Sequence, residues 1–269
     1  MVVKIVIATH KKYKMPVDKC YIPLQVGASN HKDLGYQKDN EGNNISKKNS
    51  AYSELTGLYW AWKNLNSEYK GLVHYRRYFV GSKRSDTFES ILTNNEFEKI
   101  LKKYDLIIPK KRHYYIETLR SHYKHTHYES QLIETRKVIN DLFPHYIPTF
   151  DKVNNRTWGY MFNMMVMRDD LFDNYCMWLF SILFELEDRV EKGMVDHSQN
   201  LSAFQARFYG RISEILFNVW LQYQLDEGVI NLSMIKEERV AYLGKVDWKR
   251  KVYSFILAKF FNKRYSRSF

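Results

Sequence analysis

The chain has 269 residues, 45% hydrophobic and 16% aromatic, which suffices for one substantial core and excludes a disordered polymer. Its two cysteines, Cys20 and Cys176, lie far apart with no ligand-like spacing, so neither a disulfide framework nor a zinc site is indicated, and a reducing cytoplasm suits the composition. The formal net charge of +12 calls for an anionic partner, and it is unevenly spread: residues 245–269 hold eight Lys and Arg against one acid, seven of the twelve net charges.

Val2 to Ala8 is an apolar run, too short for a signal-peptide core and without a cleavage site, so it predicts a first buried strand. Thr9, His10 and Lys11 follow at its carboxyl end, where open α/β sheets collect ligands. Residues 27–50 are a long polar loop containing Asn44, Ser46 and Asn49. Tyr52, Leu55, Tyr59, Trp62 and Leu65 then recur at helical spacing, with Ser50 available as an N-cap and Glu54 one turn in, facing the polar loop. After Gly71, Leu72 to Phe79 is aromatic and β-branched enough to be a strand, yet His74, Tyr75, Arg76 and Arg77 interrupt its apolar character.

Residues 89–104 read as a helix and Asp105 to Pro109 as a short strand. Residues 110–128 form a cationic aromatic loop with four of the nine histidines; His122, His125 and His127 lack a ligand-like spacing with a partnering acid, so an acceptor or phosphate loop is expected there rather than zinc. A helix over 129–143 stops before Pro144, and Tyr160 to Met167 is a further strand with Asn163 inside it. Asp169 or Asp170 starts a long helix through Val190, and a second covers roughly 199–225. No segment is long and apolar enough for a bilayer span. Strands and helices alternate, which predicts an α/β sandwich over residues 1–244 with a helical C-terminal region. In the tail 245–269, Trp248, Val252, Phe255, Ile256 and Phe260 stand at near-helical spacing among basic residues: an interfacial amphipathic helix, or a core-packed helix with a solvated basic side.

The helix, glycine turn and strand over 54–79 are the order in which many nucleotide-sugar transferases of the GT-A architecture approach an Asp-x-Asp metal site, but the place of that motif is taken by His-Tyr-Arg. Arginine can neutralise a diphosphate through bidentate hydrogen bonds without a metal, so Arg76 or Arg77, with His74, is expected to replace it; the alternative is an exposed strand edge of salt bridges. The stretches IATHKKYKMP, YIPLQVGA, NNISKKNSAYSELTGLYWAWKN, GLVHYRRYF, FNMMVMRDDLFDNYCMWLF and GRISEILFNVWL resemble, in order, a family of bacterial capsular-polysaccharide proteins long filed as a domain of unknown function and including galactofuranosyltransferases. One departure is Glu41-Gly42-Asn43-Asn44, where an acidic Gly-Asp-Asn pattern is expected.

The resemblance implies a GT-A-like, Rossmann-type mixed sheet flanked by helices, and transfer of a sugar such as galactofuranose from a UDP-sugar to a lipid-linked acceptor at the inner face of the plasma membrane. Thr9, His10 and Lys11 would then meet the nucleotide and diphosphate, unless they are an ordinary polar strand end, and His74, Tyr75, Arg76 and Arg77 would complete the donor site. Asn44, Ser46 and Asn49 would bind sugar hydroxyls or cap the next helix, while Glu54 and Asn163 would reach the sugar or serve the fold. For an inverting reaction one carboxylate should act as base, with Asp196 and Glu214 the candidates and Arg211 an i−3 ion-pair partner of Glu214. No metal and no other cofactor is expected. Two competing readings are a nucleic-acid binder, disfavoured because the charge is mostly terminal, and a non-catalytic scaffold of polysaccharide assembly.

Overall fold

The computed structural model describes residues 1–81 and 85–244, so the basic tail read over 245–269 lies outside the described residues. Strand β1 (Val3–Thr9) runs parallel to β2 (Tyr21–Gln25), which is followed outward by the parallel β3 (Gln37–Lys38). On its other side β1 is parallel to β4 (Tyr69–His74), in a register that sets Ala8 opposite His74. The apolar run of β1 has a reason in this position: Ile5 and Ile7 enter the core on one face, Val6 and Ala8 the core on the other.

Strand β5 (Arg77–Val80) folds back on β4 with His74 opposite Arg77. β6 (Leu106–Pro109) and the short β7 (Arg112–His113) and β8 (Trp158–Gly159) follow, the last two paired antiparallel to each other. β9 (Met165–Arg168) lies antiparallel between β4 and β6, and β10 (Ile235–Tyr242) joins β6 to β5. The pairings β4–β5–β10–β6–β9–β4 therefore close on themselves as five strands, with β1, β2 and β3 extending from β4 as a parallel wing. β4 and β9 approach so closely at Gly71 that a Cβ there would stand 2.7 Å from the Met165 carbonyl oxygen.

One face carries α1 (Asn49–Tyr52), α2 (Leu55–Asn64), α4 (Leu119–Thr126), α5 (Glu129–Leu142), α6 (Ile147–Asn154), α7 (Asp169–Glu191) and α8 (Phe208–Asp226). α3 (Asn94–Leu101) covers the other, placing Phe97 and Leu101 against Ile5, Val73 and Val166. No helix among the described residues is long and apolar enough to cross a membrane.

Several expected elements are divided by turns. The strand read over 72–79 reverses at Tyr75–Arg76, because the polar residues within it form the turn of a hairpin. The helix read from Ser50 is interrupted at Ser53, whose φ of +52° takes the chain out of the helix, and Ser50 sits inside α1 rather than capping it. Asn163 lies in a turn before β9, not in a strand: Phe162 and Asn163 have φ of +83° and +50°. The loop read over 110–128 contains β7 and α4, the helix read over 89–104 is confined to α3, and the one expected from 199 begins at Phe208.

Candidate functional site

Parallel neighbours β1 and β4 end at the same edge of the sheet, so the residues that follow them meet there. The Tyr75 N–H donates to the Ala8 carbonyl at 3.3 Å, and His10 and Tyr13 each set a ring edge on the Tyr75 ring at 5.3 and 5.2 Å. Arg76 lies over the rings of Tyr75 and Tyr242 at 5.0 and 5.5 Å, and Arg77 over those of Phe162 and Tyr242 at 4.8 and 5.2 Å. Neither arginine forms an ion pair with the described residues. Both guanidinium groups are thus held by π-faces, which orient a cation without neutralising it.

Charge accumulates at this edge. Burial lowers the His10 pKa, and the charges of Lys11, Arg207, Arg76 and His31 lower it further. Burial also lowers the pKa of Arg77, partly opposed by Tyr242, Glu214 and Glu54, yet a guanidinium stays cationic near neutrality. His74 donates through Nε2 to the Phe162 carbonyl oxygen at 2.6 Å. Burial keeps its pKa below the usual value, although the nearby Glu54 acts in the opposite sense. The neutral ring donating through Nε2 leaves Nδ1 as an acceptor.

The first turns of α8 and the 160–163 turn form the opposite wall. Asn163, 3% exposed, donates through Nδ2 to Glu54 Oε1 at 2.8 Å and to the Gly210 carbonyl at 3.0 Å, while its Oδ1 accepts from Ser213 at 2.9 Å. Glu214 Oε1 accepts from the Phe162 N–H at 3.1 Å, and Arg211 lies 3.3 Å from both Glu214 oxygens. Glu214, followed by burial in the opposite sense and by Glu54, raises the Arg211 pKa. His74, Arg77, Glu54, Asn163, Arg211 and Glu214, scattered between positions 54 and 214 of the sequence, therefore share one network.

Other expected site residues serve the loops. Thr9 donates its hydroxyl to the Lys11 carbonyl at 2.7 Å and accepts the Lys11 N–H, closing a local turn. Asn44 bonds Gly42 and the Ser46 N–H. Asn49 donates to the Ser53 carbonyl and to the Thr56 hydroxyl. The Ser46 hydroxyl donates to Asp39 at 2.5 Å. Asp196 is exposed on the loop before α8, where its carbonyl accepts from Ser130 at 2.6 Å, and among the described residues its carboxylate forms no ion pair with Arg211, the partner of Glu214.

Three features escaped the sequence reading. Asp39 is fully buried and accepts from the Gly27 and Ala28 N–H groups and the Ser46 and Thr56 hydroxyls. Tyr242 arrives from β10, and Arg207 from just before α8. Glu117, in the segment before α4, accepts from His122 and His125. Long-range pairing brings in Tyr242 and Arg207, whereas Glu117 lies only five and eight residues before its histidine partners, a local spacing the sequence reading did not use. Among the described residues, no group of three or more His, Cys, Asp or Glu side chains could hold a metal ion. The open depression lined by Met1, Glu68, Tyr69 and Arg168 lies at the amino ends of β1 and β4, away from this chemistry.

Comparison with curated proteins gives no match. Among solved structures, the chain is similar to the apo structure of WbbM, a bifunctional glycosyltransferase, with a TM-score of 0.82 and 29% identity. That similarity covers 91% of this chain and 46% of WbbM, so the chain spans about half the length of its structural relative. The model of a family described as a domain of unknown function, DUF4422, matches residues 4–225, in agreement with the resemblance carried by the stretches around HYRRYF. The chain belongs to the DUF4422 family.

Proposed function

We propose that the protein is a glycosyltransferase that moves a sugar from a nucleotide-sugar donor to a hydroxyl of a glycan acceptor. The observation that carries this reading is the meeting of Arg76, Arg77, His10 and Lys11 at the carboxyl edge of β1 and β4, in a chain similar over most of its length to a glycosyltransferase. Breaking the bond between a sugar and a nucleoside diphosphate leaves charge on the departing oxygens. Preoriented arginines stabilise that charge directly. His74-Tyr75-Arg76 occupies the strand end where a carboxylate pair would bind a cation, so the reaction is read as metal-independent. The parallel order β3-β2-β1-β4 followed by the antiparallel β9 supports a GT-A-like reading of the sheet.

In this reading the donor is a UDP-sugar, with galactofuranose the sugar the family resemblance favours, transfer is inverting, and the acceptor is a lipid-linked surface-polysaccharide intermediate. The basic segment 245–269 suits a peripheral position on an anionic inner membrane face. Glu54 and Asn163 face the sugar together, since they hold each other. Of the two carboxylates expected as base, Glu214 has both oxygens engaged by Arg211 and one also by the Phe162 N–H, and so holds Arg211 towards the donor.

A thermal-shift panel of nucleotides and nucleotide sugars tests the proposal. UDP and one UDP-sugar should raise the melting temperature, and an excess of about 100 Kd corresponds to about 2.7 kcal/mol. The shift should survive EDTA and vanish in Arg77→Ala. A panel in which no nucleotide stabilises the protein would overturn it.

A further inference from the structure

We infer that His122, oriented by Glu117, is the base that takes the proton of the acceptor hydroxyl, an inference that rests on the transferase reading of the site. Glu117 is 3% exposed, and its hydrogen-bond partners are two imidazoles of α4: His122 Nδ1 at 3.0 Å and His125 Nδ1 at 2.5 Å. An ionised carboxylate only accepts, so both Nδ1 atoms donate, and in a neutral ring the lone pair then resides on Nε2. The side chains are 24% and 26% exposed, which leaves these rings accessible. A carboxylate behind an imidazole fixes its tautomer and stabilises the imidazolium that forms when it takes a proton. Burial opposes the ionisation of Glu117, but the hydrogen bonds from His122 and His125 prevail and hold its carboxyl below the usual range.

The pair adjoins the candidate site through the backbone: the Tyr114 N–H donates to Thr157, and Tyr160, three residues on, is held by Asn218, which also donates to the Glu214 carbonyl. The Tyr114 ring lies 4.4 Å from the His122 ring, and the phenol of Tyr114 is within the electrostatic reach of Glu214 and Arg211. The charge of Arg211 also acts on Tyr123 within α4 and on His127 at its end. Arg211 is thus flanked by the Arg77 side of the cleft and by α4, and Tyr114 leads from it to His122 rather than to His125. The segment is firmly placed: Thr118 and Ser121 cap α4 reciprocally, and the Tyr114 and Leu119 N–H groups donate to the Thr157 and Arg156 carbonyls.

In the step itself, Nε2 of His122 takes the hydroxyl proton as the acceptor oxygen forms its bond to the anomeric carbon. The bond from that carbon to the diphosphate oxygen breaks, and its electron pair leaves with the nucleoside diphosphate towards Arg76 and Arg77. Around His122 the titratable and charged groups include Glu117, His125, His127, Tyr114, Arg112 over the Tyr114 ring and, from α8, Arg211.

The test uses the full chain, the UDP-sugar that stabilises it and an oligosaccharide acceptor. His122→Ala should lower kcat by about 100-fold to 10,000-fold, with the Kd for UDP within about twofold of wild type, as expected of a base acting on the acceptor. Added imidazole should restore part of the rate. Glu117→Gln, a positioning change, should cost less and move the acid limb of the kcat/KM profile to lower pH, because the anion behind the base is removed. A His122→Ala rate within about threefold of wild type overturns the inference. So does a loss that imidazole does not relieve, accompanied by an unmoved pH limb in Glu117→Gln. A wild-type chain that binds no UDP-sugar sinks the transferase reading and this inference with it, a result distinct from intact donor binding with an indifferent His122.

Discussion

Arg77 and Arg76 are neighbours in sequence with different surroundings. Arg77 is the more desolvated, lying between Phe162 and Tyr242 within reach of Glu54 and Glu214, whereas Arg76 rests on Tyr75 and Tyr242 nearer the rim. Electrostatic stabilisation grows as water is excluded, so Arg77→Ala should cost on the order of 2–4 kcal/mol of transition-state stabilisation, about 30-fold to nearly 1,000-fold in rate. Arg76→Ala should cost less. Steady-state transfer rates compared with melting temperatures check the pair, and near-normal rates in both would make the strand end structural. Asn163 predicts the opposite balance. Its side chain makes three hydrogen bonds in a left-handed turn, so Asn163→Ala adds backbone strain to unpaired buried partners and should destabilise by about 2–4 kcal/mol in urea unfolding. A loss below about 0.5 kcal/mol would show that the turn does not depend on this amide.

Elements were legible where one local rule governed them. The apolar run of β1, DLIIP as β6, the stop of α5 before Pro144 and the acidic start of α7 all follow from periodicity and end signals. The reading lost accuracy wherever a polar residue inside a patterned run belongs to the candidate site. His74 to Arg77 are hairpin and candidate site at once, and Phe162–Asn163 break the strand pattern because their turn delivers contacts to Glu54 and Glu214. Strand β10 gave no local signal, since IKEERVAY is charged and is stabilised by pairing with β5 and β6. The polar loop 27–50 looked like a binding segment in sequence, but its order comes from Asp39, a buried carboxylate held by four donors. In Asp39→Asn an amide nitrogen would face donors, so the variant should lose about 2–4 kcal/mol in urea unfolding. Unchanged stability would mean that the loop is held by other contacts.

The junction of α4 with the segment before α8 gives a pH dependence. His127 donates through Nδ1 to Gln205 Oε1 at 2.9 Å and stacks on Phe204, and burial, with Arg211 adding to it, lowers its pKa to about 3. The sign follows from linkage: the unfolded histidine takes a proton below about pH 6.5 that the folded one refuses. Its contribution is complete above that pH and is lost at up to about 1.4 kcal/mol per pH unit as the pH falls towards 3. Burial of His74 and His10 acts in the same direction. His127→Asn, which keeps an amide donor and cannot titrate, should reduce the slope of unfolding free energy between pH 6.5 and 4.5. Equal slopes in wild type and variant would place the acid sensitivity elsewhere.

At the scale of the whole molecule, two architectural facts converge on one edge. The parallel wing delivers the carboxyl end of β1, and the five closed strands deliver the β4–β5 hairpin and, through β10, Tyr242 beside both arginines. The chain continues from there into the most basic part of its sequence. The Leu243 N–H donates to the Arg76 carbonyl at 2.8 Å and the Tyr13 hydroxyl to the Leu243 carbonyl at 3.2 Å, so the described fold is anchored before residue 245. A chain ending at Gly244 retains those bonds and drops from a net charge of +12 to +5. It should melt with the full chain and keep its response to UDP. Each Lys or Arg near an anionic surface is worth roughly 1 kcal/mol, so the full chain should co-sediment with vesicles rich in anionic lipid, less so as salt rises, and the shortened chain should not. Unfolding on truncation would assign 245–269 to the core. Undiminished vesicle binding by residues 1–244 would instead move the membrane contact onto the described surface.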